Sequence, residues 1–179
     1  GLGSVKSCMR NSQRLPPERL LRIANDIACG VSYLHDPSIS IIHGDLKLDN
    51  VLLRDDGSAV LCDFGMSEAK NRSQTMTRAV PENTKVTMQW TAPELFQGQQ
   101  KTVSSDIYAL GVTLFELFED REPFEGFSDA LVMHNVINGA RPTLTHTPVE
   151  IRNLITAAWD QSPKLRPSAA QIACLLAKC

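Results

Sequence analysis

The stretch IIHGDLKLDN, residues 41–50, sets an imidazole, carboxylates, an ammonium and an amide directly behind an apolar pair. A carboxylate at Asp45, an ammonium two residues on at Lys47 and an amide five residues on at Asn50 can position a hydroxyl, neutralise a phosphate and hold a hard metal through oxygen. Catalysis of phosphoryl transfer is mostly positioning and charge neutralisation, which such a set supplies. A second carboxylate, Asp63, follows in CDFG. Asn50 and Asp63 together offer oxygen ligands for Mg²⁺, which prefers carboxylate plus substrate phosphate to a cage made wholly of protein. Taken singly, Asp and Asn ahead of a strand are ordinary turn formers, and a lone His is ordinarily packed or capping. The ordered set of four departs from that bland reading, whereas His43 reads as architectural.

Positioning these groups requires rigid elements on both sides. Upstream, Leu20, Ala24, Ile27, Val31 and Leu34 recur at three- and four-residue steps, with a Pro pair where a first turn tolerates it, so residues 16–36 form an amphipathic helix. Downstream, the apolar runs 51–53 and 59–62 flank RDDGS, whose Asp-Gly is a hairpin turn signal. Residues 66–91 are polar and aperiodic and read as one long functional loop. SSDIYALGVTLFELFED places apolar residues on nearly every face, as expected of a helix buried all round. Further helices are expected near 128–137, 149–159 and 169–178. The fold class is therefore mainly α with a small β-hairpin region at 51–62.

At 179 residues and 42% hydrophobic, the chain is long enough for one well-cored domain and short for two. A net charge of -2 gives no electrostatic reason to expect nucleic acid or an anionic membrane as principal partner. No apolar run approaches the roughly 20 residues that span a bilayer, and the N-terminus has no signal-peptide core, so a cytoplasmic location is expected. The five cysteines are scattered and odd in number, unlike a disulfide framework or a zinc spacing, and reduced thiols are expected. The first residue is Gly rather than Met, which reads as a cut left edge.

HGDLKLDN, DFG (Asp63, Phe64, Gly65) and APE (Ala92, Pro93, Glu94) stand in the order and spacing of the eukaryotic protein kinases. Each motif alone is weak; the ordered set is specific. Asp106 and Gly111 in SDIYALG, and Trp159 and Arg166 in AAWDQSPKLRPS, extend the resemblance over nearly the whole chain, residues 1–179. The chain resembles the large, C-terminal lobe of a kinase catalytic domain. QWTAPELF and AAWDQSPKLRPS are similar to the tyrosine-kinase-like group that includes the mixed-lineage and receptor-interacting kinases.

The resemblance implies a residue-by-residue assignment. Asp45 corresponds to the base that accepts the substrate hydroxyl proton, and Lys47 to the residue that meets the transferring phosphate. Asn50 and Asp63 correspond to the Mg²⁺ ligands. Glu94 and Arg166 correspond to a buried ion pair tying the end of the long loop to a late helix, and Asp106 to the buried carboxylate that holds the catalytic loop's backbone. Lys47 and Thr87 fit the Ser/Thr-specific pattern. ATP and Mg²⁺ are the implied cofactors, and Ser/Thr side chains of proteins the implied substrates, in intracellular signalling.

Two departures matter. The family's usual Arg is Gly44 here, which removes the fork-shaped receiver for a phosphate on Ser73, Thr75, Thr77 or Thr84. Nothing upstream of Pro16 supplies a Gly-rich loop, a strand lysine and its glutamate partner, so the N-terminal lobe is expected to be missing from this chain. Gly3 and Ser4 fit instead as the Gly-Ser that opens the first large-lobe helix. Two functions stay open: the catalytic lobe of an active Ser/Thr kinase, weakly active or inactive by itself, or a non-catalytic kinase-like interaction module. Cys62 has two readings, a wall of the nucleotide cavity or a small buried group. Trp159 reads as core, and Arg72, Arg78 and Lys85 as solvated loop charges.

Overall fold

The computed structural model describes residues 3–11, 14–63, 68–69 and 87–179. Phe64 and Gly65, the four hydroxyl residues proposed for modification, and Arg72, Arg78 and Lys85 lie outside the described residues.

The chain opens with a two-residue strand, β1 (Gly3–Ser4), leading into α1 (Val5–Asn11), where the Ser4 hydroxyl accepts from Ser7 N at 3.2 Å. Helix α2 (Pro17–His35) follows, with Pro17 in the first turn where no intrahelical donor is needed. Its stripe Leu20, Ile23, Ala24, Ile27, Ala28, Val31 and Leu34 is buried, as the periodicity predicts. Next come β2 (Ile41–Ile42), a 3-10 turn (Leu48–Asn50), and the hairpin β3 (Val51–Leu53) and β4 (Ala59–Leu61). The hairpin turn is closed by Arg54 N to Ser58 O at 2.9 Å and by the Asp56 carboxylate, which accepts from Ser58 N and Oγ.

After β5 (Glu68–Ala69) and a 3-10 turn (Met88–Trp90) come the helices α3 (Pro93–Phe96), α4 (Val103–Glu119), α5 (Asp129–Ile137), α6 (Val149–Ala158) and α7 (Ala169–Leu176). Helix α4 is buried at every residue from Ser105 to Glu119 and forms the spine on which α2, α6 and the 3-10 turn at Leu48–Asn50 pack. Gly111 belongs to that spine because a Cβ there would lie 2.9 Å from Ala158 Cβ, so only glycine lets α4 and α6 approach so closely. Helix α7 packs on α2. Trp159 is core, its ring 6.0 Å from Phe115.

The structure departs from the sequence expectation in four places. Strand β1 pairs antiparallel with β3, so the hairpin is the main part of a three-stranded sheet in the order β1-β3-β4. The stretch 66–91 is not uniformly loop: β5 pairs antiparallel with β2, and residues 88–90 make a 3-10 turn. Two-residue strands and single turns carry too few residues to show a period. Helix α3 was not anticipated for the same reason of length, whereas α1 opens directly after Gly3 and Ser4 as expected. Arg166 sits in the connection ahead of α7 rather than on a helix. Of the cysteines, Cys29, Cys174 and Cys179 are exposed and Cys8 and Cys62 half-buried. None of the described helices is long and apolar enough to cross a membrane.

Candidate active site

The loop between β2 and the 3-10 turn is built on the carboxylate of Asp106. From the first turn of α4, Asp106 Oδ2 accepts from His43 N at 2.7 Å and Oδ1 from Gly44 N at 2.9 Å, while His35 Nε2 lies 2.9 Å from Oδ2. A buried carboxylate satisfied by several donors is a rigid anchor, and this one ties α2, the loop and α4 together.

The His43 ring continues the scaffold toward Asp63. Its Nε2 lies 3.2 Å from the Cys62 carbonyl, which can only accept, so Nε2 carries the proton and Nδ1 is left to accept from Asp45 N at 3.3 Å. One neutral tautomer satisfies both contacts. Burial holds the His43 pKa below its ordinary value, with Asp106 pulling the other way. Cys62 N donates to Asn50 O at 2.9 Å, and this places Asp63 one residue from a backbone bond to Asn50. Asp63 is exposed, with a left-handed φ of 61°. The neighbouring Cys62 thiol is half-buried, and burial followed by the charge of Asp63 pushes its pKa up.

Of the polar groups singled out from the sequence, Lys47, Asn50 and Thr87 converge on Asp45. Lys47 Nζ donates to Asp45 Oδ2 at 2.8 Å and to Thr87 Oγ1 at 2.9 Å, and Thr87 Oγ1 donates to Asp45 Oδ1 at 3.2 Å. Asn50 Nδ2 donates to the Asp45 carbonyl at 2.8 Å and to Oδ2 at 2.9 Å. Both carboxylate oxygens are therefore oriented, yet the side chain keeps 23% of its surface open. An oriented, partly open carboxylate beside an ammonium can accept a hydrogen bond from an incoming hydroxyl. With the Asn50 amide nitrogen engaged twice by Asp45, the amide oxygen is the end Asn50 can present to a cation.

The resemblance to the protein kinases is matched by comparison with known proteins. A family model described as "Protein tyrosine and serine/threonine kinase" matches residues 1–176. The chain belongs to the protein kinase family. It is 38% identical over 159 residues to a Dictyostelium discoideum protein named as a LIM domain-containing serine/threonine-protein kinase, covering 88% of this chain and 23% of that protein. It is 33% identical over 170 residues to the dual specificity protein kinase shkA of the same organism, covering 93% and 32%. A protein of Acanthamoeba polyphaga mimivirus named as a serine/threonine-protein kinase/receptor is 31% identical over 175 residues, covering 96% and 10%. The chain thus spans a tenth to a third of the length of these relatives.

Two supporting acids lie where the resemblance places them, Asp106 under the loop and Glu94 against Arg166. Two cations were not foreseen. Lys101 Nζ donates to the Gly44 carbonyl at 3.0 Å, 57 residues away in sequence. Lys6 lies within 3.2 Å of Asp49, Glu116 and Glu122 and 5.5 Å from the centre of the Trp90 ring. Burial by itself would lower the Lys6 pKa, but the three carboxylates reverse that and raise it. Neither lysine sits in a periodic stretch, so no local signal marks it.

Proposed function

We propose that this chain carries the catalytic centre for ATP-dependent phosphoryl transfer to Ser or Thr hydroxyls of protein substrates. The observation that carries the reading is the convergence of Lys47, Thr87 and Asn50 on the two carboxylate oxygens of Asp45. Asp45 accepts the hydrogen bond of the substrate hydroxyl and takes its proton as that oxygen bonds to the γ-phosphorus and the bond to the β–γ bridging oxygen breaks. Lys47 keeps the carboxylate aimed and offers its ammonium to the transferring phosphate, which carries spread negative charge. Thr87 closes the triangle between base and lysine, and this supports hydroxyl specificity of the Ser/Thr kind.

The donor set fits a hard divalent cation. Asp63 supplies a carboxylate and Asn50 an amide oxygen, and the bond between Cys62 N and Asn50 O keeps the two segments together. Mg²⁺ bound there with ATP would neutralise charge on the phosphates. His43, buried and neutral, holds the backbone from which both Asp45 and Asp63 project.

The test is transfer of radiolabelled γ-phosphate by the full-length protein to a generic Ser/Thr substrate, followed by phosphoamino-acid analysis. Label on Ser or Thr, with most transfer lost in Asp63→Asn while folding survives, is the expected result. Equal transfer by wild type and Asp63→Asn, or label confined to Tyr, contradicts it.

A further inference from the structure

Asp45 follows a glycine. Gly44 has φ +78°, a left-handed conformation that glycine adopts without strain but does nothing to hold, since it has the greatest backbone freedom of any residue. Gly44 therefore does little to fix the peptide unit that joins it to Asp45, whose orientation depends on the bonds made to that unit. Its N–H end makes a long 3.3 Å bond to His43 Nδ1, whereas its C=O end accepts from the Lys101 ammonium at 3.0 Å. A bond to a charged donor is the stronger of the two.

The stretch that carries Lys101 is itself tied by several bonds. Lys101 and Asp106 belong to one short stretch at the start of α4 and grip Gly44 from both sides, the lysine at its carbonyl and the aspartate at its N–H. Between them Thr102 and Ser105 close a reciprocal cap. Arg166, locked onto Glu94, donates to Ser104 O at 2.8 Å. A displacement of the loop would have to break a charge-assisted bond to a fixed point.

We propose that Lys101 is a positioning residue for Asp45: its ammonium fixes the orientation of the Gly44 to Asp45 peptide, and through it the direction of the Asp45 carboxylate. The chain lacks a side chain at position 44, and the cation that steadies this point of the loop comes instead from the α3 to α4 connection. Only the kinetic arm of the following test rests on the phosphoryl-transfer reading.

The experiment uses the full-length protein with Lys101→Met and Lys101→Arg, read by NMR amide exchange, thermal melting and steady-state kinetics. In Lys101→Met, exchange at Gly44 and Asp45 is expected to rise roughly tenfold over wild type, with α4 amides unchanged. A small misplacement of a catalytic group costs large factors in rate, so kcat is expected to fall about tenfold or more with KM for ATP changed by less than about twofold. Lys101→Arg, which keeps a charged donor, should recover most of both. Unchanged exchange at Gly44 and Asp45 overturns the proposal, as does exchange that rises equally throughout α4 with a falling melting midpoint. Failure of the Arg variant to recover either readout also overturns it. An inactive wild type would discredit the phosphoryl-transfer reading, and the exchange arm would still decide the role of Lys101.

Discussion

Arg166 donates to both carboxylate oxygens of Glu94, Nη1 to Oε1 at 2.7 Å and Nη2 to Oε2 at 2.8 Å, with both side chains buried. The same guanidinium also donates to Asp160 O and Ser104 O and lies 5.1 Å from the centre of the Tyr108 ring. One residue thus joins α3, the start of α4 and the connection before α7.

Removing either partner strands a buried charge. Arg166→Leu should cost about 3–5 kcal/mol, which at about 2–4 °C per kcal/mol for a domain of this size is a large drop in melting midpoint. The double variant Arg166→Leu with Glu94→Leu should lose less than the two single losses added together, because no orphaned charge remains. An unchanged midpoint in Arg166→Leu would show that the pair does not hold the lobe.

Glu116 makes stability depend on pH. Burial pushes its pKa up to about 7 from an ordinary 4.5, with Lys6 partly opposing the shift. A carboxyl raised in the folded state contributes stability that is present in full below 4.5 and lost as pH climbs to about 7, since the unfolded chain releases its proton first. The charged groups around it are Lys6, Asp49 and Glu122, with Arg10 beyond on Glu122. Glu116→Gln cannot titrate, so its stability relative to wild type should improve by up to about 3 kcal/mol between pH 4.5 and 7.5. Parallel denaturant midpoints for the two proteins across that range would contradict the assignment.

Thr87 links Lys47 to Asp45, and on the proposed function its removal should be felt in catalysis. Losing a hydrogen bond to charged partners costs about 1.5–3 kcal/mol. Thr87→Val should therefore lower kcat by roughly 10- to 100-fold with little change in KM for ATP, and Thr87→Ser should restore most of it. A valine variant as fast as wild type would show that the triangle has no part in the reaction.

Much of this was legible in the sequence because it is local. Asp45, Lys47 and Asn50 lie within six residues, and their motif fixes their relation. The long helices announce themselves by period, and α4 by having no polar face. What was not legible is short or distant. Strand β1 exists only because Gly3 and Ser4 find Leu53 and Leu52, and a two-residue strand has no pattern. The Lys101 bond to Gly44 depends on how α4 is seated, and a lone lysine in a polar segment looks like any solvated charge. The ion cluster around Lys6 likewise draws on three separate stretches, α1, the turn at Leu48–Asn50 and the end of α4 with the residues just beyond it, which only the packed fold assembles.

The central claim is that the Asp45 carboxylate accepts the proton of a substrate hydroxyl. Its most direct measurement is single-turnover phosphate transfer from ATP to a Ser peptide by the full-length protein and its Asp45→Asn variant. The amide keeps the shape and, with its oxygen in the place of Oδ2, the bond from Lys47, but it cannot take a proton. The account predicts a rate about 10²- to 10⁴-fold lower, with ATP affinity and melting midpoint close to wild type. A variant that transfers phosphate at the wild-type rate would contradict it.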